Sequence, residues 1–186
     1  KNILFPKAKF DKWSSSETTL PTNISKIEFD KNPVLYRFDY QLKKSGLNTA
    51  NTMKPDFSWA CTSINNIKNY YDLKEYIVIF PFCSTHLNIK KWPYYNELIE
   101  LIKKKYNNKY KIVVAPGPSE IQDTKDFNAI SILDDQKILG ISQLSSLIKE
   151  STFVIANDTG PAHIAAHLGV KGLTLFGKHT TAFKVS

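Results

Sequence analysis

Arginine is almost missing. Arg37 is the only one in 186 residues that nevertheless carry a net charge of +8. Sequence-specific DNA reading leans on bidentate arginine–guanine contacts, so that class of function is disfavoured and no nucleic-acid partner is expected. Lysine carries the charge, scattered among many asparagines, which reads as a genome-wide compositional bias more than a selected patch. It leaves open a mild attraction to nucleotide phosphates or a peripheral contact with an anionic membrane. The run Lys103-Lys104-Lys105 follows an amphipathic stretch and reads as a solvated helix end. Cysteine is scarce too. Cys61 and Cys83 form no C-x-x-C pair, so no structural disulfide is required and a reducing cytoplasm is the default location. Cys83 reads as a small filler rather than a nucleophile, because no motif pairs it with a base. No apolar run approaches the ~20 residues needed to span a bilayer. The longest, residues 76–83, holds a proline and reads as a buried strand. No signal peptide is visible. No G-x-G-x-x-G follows a strand, which disfavours a dinucleotide enzyme. The chain opens on Lys1 rather than Met, and it ends at Ser186 just after a strand, where an α/β domain normally adds a helix. We therefore expect a trimmed chain whose last domain is truncated at its C-terminal end.

From residue 76 onward, strand-like runs alternate with helical patterns. Strands are expected at 76–80, 111–115, 129–133, 152–156 and 172–176. The first intervening helix is expected at 93–106, with Tyr94, Tyr95, Leu98, Ile99, Leu101 and Ile102 forming one broad apolar face. A weakly patterned helix is expected near 119–127. A third is expected at 140–150, with Ile141, Leu144, Leu147 and Ile148 inward, and a fourth at 161–168, stopped by Gly169. Repeated β–α units imply a parallel sheet with right-handed crossovers and flanking helices, an α/β Rossmann-like fold. Ligands in such sheets sit beyond the carboxyl ends of the strands. Residues 1–75 differ. Residues 13–19 are polar and irregular. A helix is expected near 33–45, with Val34, Leu35, Phe38 and Leu42 inward and Gly46 at its end. The rest mixes turn residues with isolated aromatics. We read 1–75 as a lead-in, a remnant of a first domain, and 76–186 as the Rossmann-like domain.

The most informative segment is Asn157-Asp158-Thr159-Gly160-Pro161-Ala162-His163. A short apolar run precedes it and an alanine-rich helical run follows. Gly160 is expected to let the backbone turn sharply. Pro161 suits a first helical position, where a missing N–H costs nothing. The free N–H groups of that first turn and the helix dipole together make an anion site suited to a phosphate-bearing ligand. Asp158 is either a cap or a ligand contact.

Asp-Thr-Gly-Pro-x-His, followed by a small-residue helix and an apolar strand ending in Phe176-Gly177, resembles the signature of the ADP-heptose:lipopolysaccharide heptosyltransferases, glycosyltransferase family 9. Residues 77–85 followed by Lys90-Lys91-Trp92-Pro93 are similar to that family's strand, small-residue loop and Lys-x-Trp-Pro. Residues 113–120 resemble the strand, glycine-containing loop and Glu that come next. The resemblance implies the second, donor-binding domain of a GT-B-type glycosyltransferase, with a nucleotide-diphospho-sugar donor (ADP-heptose) and a lipopolysaccharide core acceptor. It implies inverting transfer at the cytoplasmic face of a bacterial inner membrane.

By the same resemblance, Lys90 would neutralise the diphosphate leaving group. Asp158 would hold sugar hydroxyls, since a carboxylate repels a diphosphate. Thr159 and the N–H groups near Gly160, with Ser84 and Thr85, would meet the phosphates. Glu120 would meet the ribose, and His163 would line the site. Trp92 reads as a helix-start anchor, Lys91 as a solvated neighbour. For Ser84 and Thr85 the competing reading is turn chemistry; for Glu120 it is a helix N-terminal charge. His163 and His167 lie four apart on one helix face, a zinc-like spacing, but no glutamate or third ligand accompanies them, so no metal and no cofactor is expected. His86 and His179 lie in loops and say little. The family's catalytic base lies near the start of its first domain, and no residue here matches that context. We therefore expect the chain by itself to transfer no sugar. The alternative is a non-catalytic nucleotide- or sugar-phosphate-binding module derived from such an enzyme.

Overall fold

The computed structural model describes residues 19–178 and 181–185. The polar stretch 13–18 and His179 lie outside the described residues. The chain divides into two compact units, Lys1–Pro55 with Thr181–Ser186, and Asp56–Thr180.

The smaller unit holds α1 (Lys26–Phe29), α2 (Val34–Lys44) and α7 (Ala182–Val185). Ser25 caps α1 by accepting from the Glu28 N–H at 3.2 Å. Pro33 immediately precedes α2, and Gly46 follows it in the left-handed region at φ 71°. Phe29 is fully buried and meets the Tyr40 ring edge-on. Phe38, expected inward, is exposed. The buried Gln41 and the Phe29–Tyr40 contact place the inward face of α2 to one side of it.

The larger unit is built on a five-stranded, all-parallel sheet in the order β3-β2-β1-β4-β5. Its strands are β1 (Tyr76–Phe80), β2 (Lys111–Val114), β3 (Ile130–Ser131), β4 (Phe153–Asn157) and β5 (Gly172–Leu175). The expected α/β Rossmann-like sheet is therefore the fold. β1 is buried along its whole length, the reason its sequence is apolar without alternation. Tyr76, Val78 and Phe80 pack with Ile67 of α3 (Asn65–Tyr70), Leu147 and Ile148 of α5 (Ile141–Lys149) and Ala162 and Ala165 of α6 (Gly160–His167). Ile77 and Ile79 pack on the other face with Tyr95 and Ile99 of α4 (Tyr95–Lys105).

Several details depart from the sequence pattern. Residues 119–127 form turns and a short 3-10 segment, Asp123–Asp126, rather than an α-helix. The inward face of α4 is narrower than expected: Tyr94 and Leu101 are exposed, while Leu98 and Ile102 pack at its margin. Ile141, at the start of α5, is exposed as well. The sequence pattern did not single out α3. It belongs to the larger unit: Ile64, Ile67 and Leu73 enter the core, and the Thr62 N–H donates to Ser146 Oγ of α5 at 2.8 Å.

Candidate active site at the switch point of the sheet

The strand order locates the site. After β1 the chain adds β2 and β3 on one side, then returns to lay β4 on the other side of β1. The crevice at such a switch point, beyond the carboxyl ends of the strands, is where parallel α/β sheets bind ligands. Here it lies between β1 and β4. The loops at 81–91 and 157–161 leave from its two sides.

The first loop is anchored by apolar packing. Phe82 is buried among α4 side chains, and the Cys83 thiol donates to the Leu87 carbonyl at 3.2 Å. Burial pushes that thiol up, against the opposing pull of Lys91 and Lys90. Cys83 is a neutral filler rather than a thiolate. The loop then winds through a kinked 3-10 turn, Thr85–Lys90, which ends on Lys90. Trp92 meets the Tyr95 ring edge-on at 5.4 Å and anchors the start of α4.

Lys90 reaches across the crevice. Its ammonium donates to the Asp158 carboxylate at 2.9 Å and to the Asp158 carbonyl at 3.0 Å. Both side chains are largely buried, Lys90 17% and Asp158 4% exposed. Lys91 is exposed. Asp158 does not cap α6. Thr159 occupies the cap position and turns its own hydroxyl to the Asn157 carbonyl at 3.2 Å. His163 Nε2 stands 3.6 Å from the other Asp158 oxygen. His167, one turn on, is partly buried; that burial, then the nearby His163, lower its pKa.

Gly160 is a correction to the turn argument. It is the first residue of α6, its φ is not in the left-handed region, and a Cβ there would meet nothing within 4 Å. Its bareness leaves space over the helix N-terminus rather than permitting a turn. Ser84 is exposed at the head of the 3-10 turn, where its carbonyl accepts from the Leu87 N–H at 2.8 Å. The Thr85 side chain lies outside the described part of the structure. Glu120 sits on the loop after β2. One carboxylate oxygen accepts from the Gly117 N–H at 2.7 Å, and the Glu120 N–H donates back to the Gly117 carbonyl.

Thus Lys90, Asp158, His163, Thr159 and Gly160 come together, while Glu120 is engaged within its own turn. Asn157, which the motif contains but to which no role was given, and Tyr95, read only as part of the apolar face of α4, also belong to the site. Asn157 is fully buried. Its amide donates to the Pro81 carbonyl at 2.8 Å and its oxygen accepts from the Tyr95 hydroxyl at 3.2 Å. The available signal was an amide ending an apolar strand, since a buried amide must find partners. Beside the Lys90–Asp158 pair, a cavity of about 310 Å³ opens between residues 89–92 and the end of β5, with Lys90, Lys91 and Lys178 on its walls. Those ammonium groups suit an anion.

Fold and site together define a Rossmann-like domain of the GT-B glycosyltransferase type. The chain belongs to glycosyltransferase family 9 (heptosyltransferase), whose sequence model matches residues 6–184. No curated protein sequence matches it at a significant level. Among solved structures, the chain is similar to the family 9 glycosyltransferase of Veillonella parvula, at TM-score 0.63 and 17% identity, covering 86% of this chain and 48% of that one. It is similar to Escherichia coli heptosyltransferase WaaC with ADP-2-deoxy-2-fluoro heptose, at TM-score 0.53 and 18% identity, covering 89% and 50%. It is also similar to E. coli ADP-heptose lipopolysaccharide heptosyltransferase II, at TM-score 0.50 and 18% identity, covering 77% and 47%. The chain spans about half the length of these structures.

Proposed function

We propose that this chain binds a nucleotide-diphospho-sugar, ADP-heptose, as the donor side of an inverting heptosyltransferase that extends a lipopolysaccharide core. One observation carries the reading: the Lys90 ammonium and the Asp158 carboxylate face each other at the switch point, beside the N-terminus of α6. The similar WaaC structure in complex with ADP-2-deoxy-2-fluoro heptose supports the choice of donor.

The chemistry divides between the two charges. As the glycosidic bond breaks, negative charge builds on the diphosphate. Lys90 and the α6 N–H groups stabilise that charge more than they stabilise the bound ground state, which is what lowers the barrier. Ser84 donates to a phosphate oxygen, as does Thr159 once its hydroxyl turns from the Asn157 carbonyl. Asp158 accepts from sugar hydroxyls and orients the anomeric carbon, with His163 at the rim of the same carboxylate. Glu120, tied to Gly117 through one oxygen, offers the other to a ribose hydroxyl. The acceptor and the base that deprotonates it come from outside residues 76–186. The reaction runs at the cytoplasmic face of the membrane.

Titration calorimetry with ADP, ADP-heptose and NAD tests the donor claim. ADP and ADP-heptose should bind more tightly than NAD, and equal or tighter NAD binding overturns the reading. An assay with ADP-heptose and a heptose-deficient lipopolysaccharide tests the division of labour. Donor binding without acceptor-dependent transfer is expected of the chain by itself, because positioning of the acceptor is worth several orders of magnitude in rate.

A further inference from the structure

The two loops that carry Lys90 and Asp158 belong to segments 68 residues apart, and their meeting must be enforced by something other than the ion pair. The structure shows a bridge directly beneath it. Asn157 immediately precedes Asp158 and is 0% exposed. Its Nδ2 donates to the carbonyl of Pro81, the first residue beyond β1, at 2.8 Å. Because a proline carbonyl can only accept, the amide orientation is fixed and Oδ1 must face the other way. There it accepts from the hydroxyl of Tyr95, also fully buried. The same hydroxyl lies 3.3 Å from the Phe80 carbonyl, so its proton is shared between the end of β1 and the end of β4. Tyr95 is the first residue of α4 and packs edge-on against Trp92. Three points are thus tied to one amide: where the lysine loop departs, where it rejoins the fold, and where the aspartate loop departs.

We infer that Asn157, through Pro81 and Tyr95, is a positioning residue that sets the separation of Lys90 from Asp158 and so the spacing between the phosphate and sugar contacts of the donor site. It touches neither donor nor acceptor. The parallel ladder of β1 and β4 fixes the strand register as far as Phe80 and Ala156; beyond it, apolar contact is non-directional and leaves the relative height of the two loops soft. Two directed hydrogen bonds from one planar amide fix it, and burial raises their strength and the cost of losing either. Burial also pushes the Tyr95 phenol up, so its hydroxyl stays protonated across the working range. In functional terms the inference rests on the donor-binding reading above. In structural terms it stands on the ion pair alone.

The test therefore has two readouts in the full chain. The first is the coupling between Lys90→Met and Asp158→Asn, measured as a double-mutant cycle on denaturant unfolding. That coupling should be present in the wild-type background and lost in the Asn157→Leu background, which keeps the side-chain volume and removes both bonds. If Asn157→Leu does not fold, Tyr95→Phe carries the same cycle and should show a reduced coupling. An undiminished coupling in these backgrounds overturns the inference. The second is ADP affinity. Asn157→Leu should weaken it by about tenfold, the factor that corresponds to roughly 1.4 kcal/mol. The salt dependence contributed by Lys90 should flatten, and the loss should vanish where Lys90→Met is already present. A residue that only stabilises the fold would leave affinity and salt dependence unchanged. Leu147→Ala, a fully buried core change in the cluster on the α5 face of the sheet, is the control for that behaviour. Failure of the wild-type chain to bind ADP would sink the donor reading, while the coupling cycle still decides the positioning claim.

Discussion

At the carboxyl edge of the sheet, the loops after β1 and β4 are bound to each other, whereas the turn at 117–120 after β2 is closed on itself. The first pair is joined by Lys90 to Asp158 and by Asn157 to Pro81, contacts that span 68 and 76 residues. The loop after β2 is closed by Glu120 onto Gly117, three residues apart. Local closure makes a loop rigid by itself and indifferent to its neighbours. Cross-loop closure makes two loops one object, so that charge placed on one is felt by the other. A site that must hold a phosphate and a sugar at a fixed distance calls for the second kind.

The largest effect should come from Lys90→Ala. Removing the ammonium takes one charged partner from a buried carboxylate, a change that should cost about 2 kcal/mol. Urea unfolding should show this loss, and adding Asp158→Asn to the same chain should recover most of it. ADP affinity should also fall, by an amount that shrinks at high salt. Asp158→Asn alone should spare ADP and weaken the intact sugar nucleotide.

The self-closed loop should respond less and only locally. Glu120→Gln replaces a charge-assisted bond with a neutral one and should cost about 1 kcal/mol. The Lys90–Asp158 coupling should stay as it was, and a change in that coupling would show that the two halves of the edge communicate.

Gly160→Ala sharpens the comparison from the ligand's side. With open space for its Cβ, the substitution should leave stability within about 0.5 kcal/mol of wild type. If a diphosphate packs over the α6 N-terminus, the added methyl group should nonetheless weaken ADP binding. Unchanged ADP affinity would move the phosphates elsewhere.

The smallest effect concerns pH. The folded-state pKa of His167 lies below its usual 6.5, mainly through burial. The unfolded chain therefore takes up the proton first. Stability should be complete above about pH 6.5 and decline as the pH falls below it toward the folded-state value. Thermal melts of His167→Asn should lack that part of the slope.

The β–α alternation after residue 76 was legible because strands buried on both faces are apolar throughout and helices buried on one face are periodic. Lys90 and Asp158 were legible as candidates through the order of short motifs around them. Their ion pair was not, because nothing in a linear pattern reports which strands become neighbours across a crossover. Asn157 and Tyr95 escaped for the same reason: an amide and a phenol look like ordinary polar and aromatic residues until the strand order sets them side by side. Residues 119–127 were misread as a helix because Glu120 spends its carboxylate on the Gly117 N–H, a competing local bond that propensity does not weigh. Phe38 was misplaced because a rotation of the buried face by a fraction of a turn on a short helix changes which side chain is covered.

The central place of β1 also shapes how the chain must be made. Its two neighbours are β2 and β4, and β4 begins only at Phe153. Until β4 has been synthesised, the five-residue strand Tyr76–Phe80 can pair on one flank at most. An apolar strand with an unfilled edge is a template for pairing with other chains. A nascent or truncated product stopping short of β4 should therefore aggregate, and chaperone capture should be strongest in that interval of synthesis.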